Sequence, residues 1–155
     1  MKGAQYNTGR ASEPILRYVH LPNGALELHK VREVRFDYPT TINFTGVNQN
    51  LSVPIQLLQV ADFEVFYLQD THAQAWFVQL TDGSTNASMS SAPVPAASIC
   101  GNGQLPGISP VTFVFRKAGS IVITAINGPT IAANPGVFTL VGAHLYDEGP
   151  VNVQQ

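Results

Sequence analysis

The residues of this chain that could do chemistry are few and scattered. It has four histidines (His20, His29, His72, His144), ten acids and one cysteine. Only Asp70-Thr71-His72 brings two metal- or proton-handling side chains within two positions of each other. Alternate residues of a turn can point the same way, but a zinc site needs three or four ligands, and neither a HExxH nor a CxxC pair is present. Asp70 and His72 are therefore read first as a solvated hairpin turn and second, together with Trp76, as ligand-binding residues. Trp76, Tyr67 and Phe77 could form a platform for a sugar ring, yet they lie in the most apolar segment, which favours the core. Asp62 and Glu64 alternate on one strand face, about 7 Å apart by strand rise, inside the loose range of a glycosidase carboxylate pair. Nothing sets either apart as an acid, and strand-edge charges that discourage aggregation are the preferred reading.

Nucleophile motifs are missing as well. Cys100 stands alone in Cys100-Gly101-Asn102-Gly103, with no charged residue or histidine between Asp82 and Arg116 to serve as its base. Its expected role is structural. There is no GxSxG, and Gly101-Asn102-Gly103 lacks the lysine of a phosphate-binding loop. Three sequons, Asn43-Phe44-Thr45, Asn50-Leu51-Ser52 and Asn86-Ala87-Ser88, read as effects of an Asn- and Thr-rich composition. No catalytic residue, metal or cofactor is expected.

The elements that must position these residues are strands. Ile42 and Phe44 alternate with Asn43 and Thr45, and Leu51, Val53, Ile55 and Leu57 alternate with Ser52, Pro54 and Gln56; both patterns have period two. Pro54 cannot donate to a ladder and marks an edge or a bulge. Residues 63–68 and 74–81 are apolar on both faces, as in a strand covered on both sides or one facing a partner. Further strands are expected over 111–116, 120–127 and 136–146, separated by the turn signals Lys117-Ala118-Gly119, Asn127-Gly128-Pro129 and Asn134-Pro135-Gly136. Eight or nine short strands with almost no helical periodicity predict an all-β, antiparallel sandwich or jelly roll. Residues 82–110 are the exception: Gly, Pro, Ser and Ala make up 18 of 29 positions, which predicts a long functional loop.

Charge divides the chain. Residues 1–35 hold Lys2, Arg10, Arg17, Lys30, Arg32 and Arg35 against three acids, a net of +3, whereas 36–155 hold two cations against seven acids, a net of −5. This predicts an extended basic N-terminal arm (1–35) on a sandwich domain (36–155), with a hairpin around Asn23-Gly24 pairing residues 17–20 with 26–30. Charged residues are only 12% of the whole, about half the usual share. Six cations interleaved with acids are weak for phosphate binding, so nucleic acid is not expected. Arg10, Arg17, Lys30, Arg32 and Arg35 are read instead as assembly contacts that meet the acidic body of a neighbouring copy. Met1 to Arg10 carries no apolar segment of a secretory signal, and no run is long enough for a membrane span, so no membrane partner is expected.

The arm, the charge-poor body rich in Asn, Gln, Thr, Gly and Pro, the small-residue loop and the closing segment Gly136-Val-Phe-Thr-Leu-Val-Gly-Ala-His-Leu-Tyr-Asp-Glu148 together resemble small virion proteins of tailed bacteriophages. The resemblance is one of texture across the chain and carries no catalytic residue. It implies a capsid decoration, minor capsid or tail module, located in the virion. The expected function is that of a non-enzymatic structural protein attached to a capsid or tail scaffold through its arm and loop. Its expected partners are copies of itself, as a homo-oligomer with a trimer as the expected state, and other virion proteins. A receptor- or carbohydrate-binding module of a fibre or baseplate is the alternative.

Overall fold

The computed structural model describes residues 14–100 and 107–151, the stretch 107–112 by its backbone alone. The fold is nearly all β and forms two antiparallel sheets, as the alternation predicts. In chain order the elements are β1 (Ile15–His20), β2 (Leu26–Phe44), β3 (Asn50–Gln56), β4 (Asp62–Asp70), β5 (Trp76–Asp82), β6 (Val94–Pro95), the single turn α1 (Ala96–Ile99), β7 (Gly107–Phe115), β8 (Ser120–Asn127) and β9 (Asn134–Pro150). One sheet has the order β1-β2-β9-β4-β7 and curls into a half-barrel; the other has the order β3-β8-β5-β6. Pro54 falls on the edge strand β3, where its missing donor costs nothing.

The predicted hairpin is present, with His20 opposite Leu26 and Ile15 opposite Val31. Leu21-Pro22-Asn23-Gly24 closes it through Gly24 N–H to Leu21 O at 2.9 Å, while Leu21 N–H bonds Ala25 O at 2.9 Å. Gly24 takes a φ of +82°, the left-handed residue that a three-residue hairpin loop requires. From there β2 runs unbroken for 19 residues, so the change of charge at residue 35 falls inside a strand. β9, of 17 residues, pairs with it from His29 to Phe44.

The core lies where the sheets overlap. Ile42, Phe44, Phe63, Val65, Leu68, Phe115, Phe138 and Leu140 from the curled sheet meet Ile55, Trp76, Val78, Leu80, Ile121, Ile123 and Ala125 from the other. β8 alternates strictly, with every second side chain buried, as a strand between two faces must. The sheets differ in length. At about 3.4 Å per residue β2 spans roughly 60 Å of contour and the longest strand of the smaller sheet roughly 27 Å. The curled sheet therefore overhangs, and the overhang is built from β1, residues 26–36 of β2 and the far end of β9.

Two expectations are corrected here. The stretch 82–110 is not one open loop. A tight turn bonds Asp82 N–H to Ala87 O and Asn86 N–H to Asp82 O, Thr81 bridges Ser88, β6 pairs with β5, and β7 starts at Gly107. The cause is chain geometry: Gln79 donates to Ser90 O at 2.7 Å and draws the small residues along the β5 edge. Asp62 and Glu64 are not strand-edge charges either, because β4 lies inside its sheet between β9 and β7, and Glu64 is buried.

Candidate functional site

Asp70, His72 and Trp76 do come together, in a buried network in place of the solvated turn. Asp70 ends β4, Trp76 starts β5, and the connection folds His72 back between them. His72 Nδ1 lies 2.6 Å from Asp70 Oδ1, His72 Nε2 lies 2.8 Å from the Ile42 carbonyl, and Trp76 Nε1 donates to Asp70 Oδ2 at 2.7 Å. The backbone N–H of His72 adds a fourth bond, to Asp70 Oδ1. Both ring nitrogens lie within hydrogen-bond distance of an oxygen, one a carboxylate and one a backbone carbonyl. Burial works against the Asp70 charge, but the bonds from His72 and Trp76 outweigh it and hold the carboxyl below the usual carboxylate range. The His72 side chain is fully buried and packs over Gly136, where a Cβ would collide with the ring, and against Phe44 and Trp76. Every polar atom of the three side chains has a partner inside the fold. Trp76 is a core residue, as expected, and presents no stacking face.

A second polar cluster sits on the concave side of the curl. Arg17 of β1 bonds both Glu33 of β2 and, at 2.7 Å, Glu64 of β4. Asp62 accepts from Lys117 N–H at 2.8 Å and lies 3.4 Å from Arg116 Nη1. The Arg17–Glu64 contact ties β1 to β4 across the curl, and the Asp62 contacts tie β4 to the turn after β7. Between β1 and the turn after β7 the curl leaves a hollow of about 740 Å³, walled by Tyr18, His20, Val60, Arg116, Lys117 and Tyr146.

The basic residues read as assembly contacts fall along β1 and β2. Arg17 is paired as above, Arg32 pairs with Glu148, and Arg35 lies 3.7 Å from Asp37. Lys30 is exposed, and Arg10 lies outside the described residues. Arg17 and Arg32 thus reach acids of the body within their own chain.

Sequence reasoning did not single out His29. Its Nδ1 lies 2.7 Å from Asp147 Oδ1 and its Nε2 3.1 Å from Glu27 Oε2, joining the hairpin to the end of β9. The bond to Asp147, then that to Glu27, holds the imidazole above its ordinary range. His144 was also missed: Tyr38 Oη lies 2.9 Å from its Nε2, its Nδ1 has no partner among the described residues, and Phe36, Tyr38, Phe63 and Tyr146 surround it. The alternation of β9 carried a signal for His144, which falls on the core side with Phe138 and Leu140. For His29, whose acids come from Glu27 and from a strand more than a hundred residues away, no local pattern carried one. Cys100 follows α1, and burial, with a smaller contribution from Asp70, pushes its thiol up to about 12. Among the described residues no group of three metal-ligating side chains occurs.

The overhang exposes several apolar side chains on one face, together with Lys30 opposite Leu16 and His20 opposite Leu26. Side chains opposite each other in an antiparallel pair share a face, so Leu16 and Tyr18 of β1 lie with Leu28 of β2, and alternation adds Leu26, Val34 and Phe36. Tyr18 is 69% exposed, Leu16 58% and Leu26 57%. No protein-family model, curated protein or solved structure matches this chain.

Proposed function

We propose that this protein is a non-enzymatic structural module that assembles with copies of itself and fixes to a larger protein scaffold, that of a virion. The observation carrying this reading is the apolar face of the overhang. Leu16, Tyr18, Leu26, Val34 and Phe36 stand exposed together on one sheet face, while Glu64 and the Asp70–His72 pair are engaged inside the fold. Exposed apolar side chains gathered on one face mark a protein–protein contact surface. The charge-poor composition and the virion-like texture of the chain supply the setting. The carbohydrate-binding alternative loses its footing with the burial of Trp76 and of the His72 ring.

Sedimentation equilibrium tests the reading. The expected result is a mass that rises with concentration above the 16.7 kDa of the chain. Leu16→Ser with Tyr18→Ser is expected to return it to the monomer without changing the circular dichroism. A wild-type protein that stays monomeric, and whose attachment to particles survives both substitutions, overturns it.

A further inference from the structure

The two sheets have four edges among the described residues: β1 and β7 on one, β3 and β6 on the other. Three of these strands contain a proline, Pro54 in β3, Pro95 in β6 and Pro110 in β7. Proline removes a ladder donor and is one of the ordinary devices against unwanted strand pairing; an outward charge is another. β1, with the sequence ILRYVH, has neither. Pro14 stands just before it, and its arginine turns inward to Glu33 and Glu64.

The direction of its free hydrogen-bonding groups follows from its neighbours. Val151 N–H donates to Leu28 O, so the Leu28 carbonyl faces β9 and not β1. The Tyr18–Leu28 pair is therefore a non-hydrogen-bonded one. The hairpin loop agrees: Leu21 bonds Ala25, the next pair, His20 with Leu26, is then non-bonded, and the pattern alternates back along the strand. Leu16, Tyr18 and His20 thus turn their N–H and C=O groups to the open edge, beside the hollow.

We infer that β1 is the pairing edge for a second copy of this chain, joined antiparallel about a two-fold axis that passes between Tyr18 and its symmetry mate. This rests on the self-assembly proposed above and replaces the threefold expectation with pairs. A two-fold perpendicular to the sheet keeps each side chain on its own face, so the axis must pass through a residue pair. Centring on Arg17 would set like charges directly opposite, which is destabilising. Centring on Tyr18 makes it a hydrogen-bonded pair with itself and sets Leu16 against His20, using every outward donor and acceptor of the strand. The aromatic pair across the axis adds a favourable cross-strand contact. A second copy presents the same unprotected edge, which is what an isologous contact needs.

The register can be read by cross-linking. Hydrogen-bonded antiparallel pairs have Cα atoms about 5.5 Å apart, inside the range a disulfide spans. In a Cys100→Ser background, Tyr18→Cys is expected to give covalent dimers on mild oxidation, whereas Val19→Cys, which would face Arg17 of the other copy, stays uncrosslinked. Tyr18→Pro deletes an outward N–H and spares the bonds to β2, so it is expected to weaken self-association at least about tenfold with the thermal transition retained. If the wild-type protein self-associates but Tyr18→Cys does not cross-link and Tyr18→Pro has no effect, the edge pairing is wrong while self-assembly stands. If the wild-type protein is monomeric throughout, both fall.

Discussion

Arg17 on β1 holds Glu64 on β4 at 2.7 Å, although β2 and β9 lie between their strands. In a flat sheet three strand spacings would separate them by about 14 Å, so this ion pair is possible only because the sheet is curled. Glu64 is buried, and Arg17 is about one-third exposed. Removing one partner of a buried pair leaves a desolvated charge behind, at about 3–5 kcal/mol when burial is complete. Partial exposure of Arg17 lowers the expectation to about 2 kcal/mol for Arg17→Met. Adding Glu64→Gln should recover part of that loss, since the stranded carboxylate is then gone. Urea denaturation of the two variants and the wild type measures both steps; equal stability of Arg17→Met and wild type would show that the pair does not hold the curl.

Asp70 accepts from His72 and Trp76 in a largely buried site, and these bonds hold its carboxyl below the usual range although burial opposes them. A group whose pKa is depressed in the folded state contributes stability above its unfolded value, about 3.9, and loses it as pH falls through the lower folded value. The acid limb of the stability profile should therefore lie below pH 4. Asp70→Asn removes the charge that the contacts with His72 and Trp76 stabilise, and is expected to cost about 3 kcal/mol at pH 7 while flattening that limb. Thermal melts of the two proteins between pH 2 and 7 check both parts.

How far this was legible varies with how local each feature is. The hairpin could be placed because Leu21-Pro22-Asn23-Gly24 is turn chemistry flanked by pairing segments, and core strands because Ile42 and Phe44, and Leu51, Val53 and Ile55, alternate with polar residues or proline. The 19-residue run of β2 was not visible. Its middle carries Arg32, Glu33, Arg35 and Asp37, which look like a solvated arm when the partners of Arg32 and Arg35, Glu148 and the Tyr67 hydroxyl, lie far along the chain. Asp70 and His72 were picked out by spacing, but their burial depends on the Ile42 carbonyl and the absence of a side chain at Gly136. Neither is encoded near residue 70. Charge segregation was correctly seen and is satisfied within one chain at Arg17 and Arg32, where sequence reasoning looked to a neighbour.

His29 supplies an alkaline counterpart to Asp70. Its imidazole is held above the ordinary value by Asp147 first and Glu27 second. A raised folded pKa gives stability that is complete below the unfolded value, about 6.5, and is lost as pH climbs through the folded one. Asp147 is held low by the same contact and by the Gly149 N–H, against the effect of its burial. The midpoint of thermal unfolding is expected to fall as pH is raised from 6 toward 9, and His29→Gln should remove most of that slope. Hydrogen exchange at Leu28 and Lys30 should speed up over the same interval, because the contact being lost is the side-chain tie between the hairpin and the end of β9.

Cys100 gives the last prediction. Burial pushes its thiol up to about 12, so at pH 8 the thiolate that attacks disulfide reagents is about one part in ten thousand. An ordinary exposed cysteine has a pKa near 8.5; its thiolate is on the order of a thousand times more abundant at that pH, and even after the greater nucleophilicity of the higher-pKa thiolate is counted it would react on the order of fifty times faster. Titration of the native protein with an aromatic disulfide should therefore be slow, and become fast only when urea unfolds the chain. Rapid stoichiometric reaction of the folded protein would show instead that the thiol beside α1 is open to solvent and that its role is not packing.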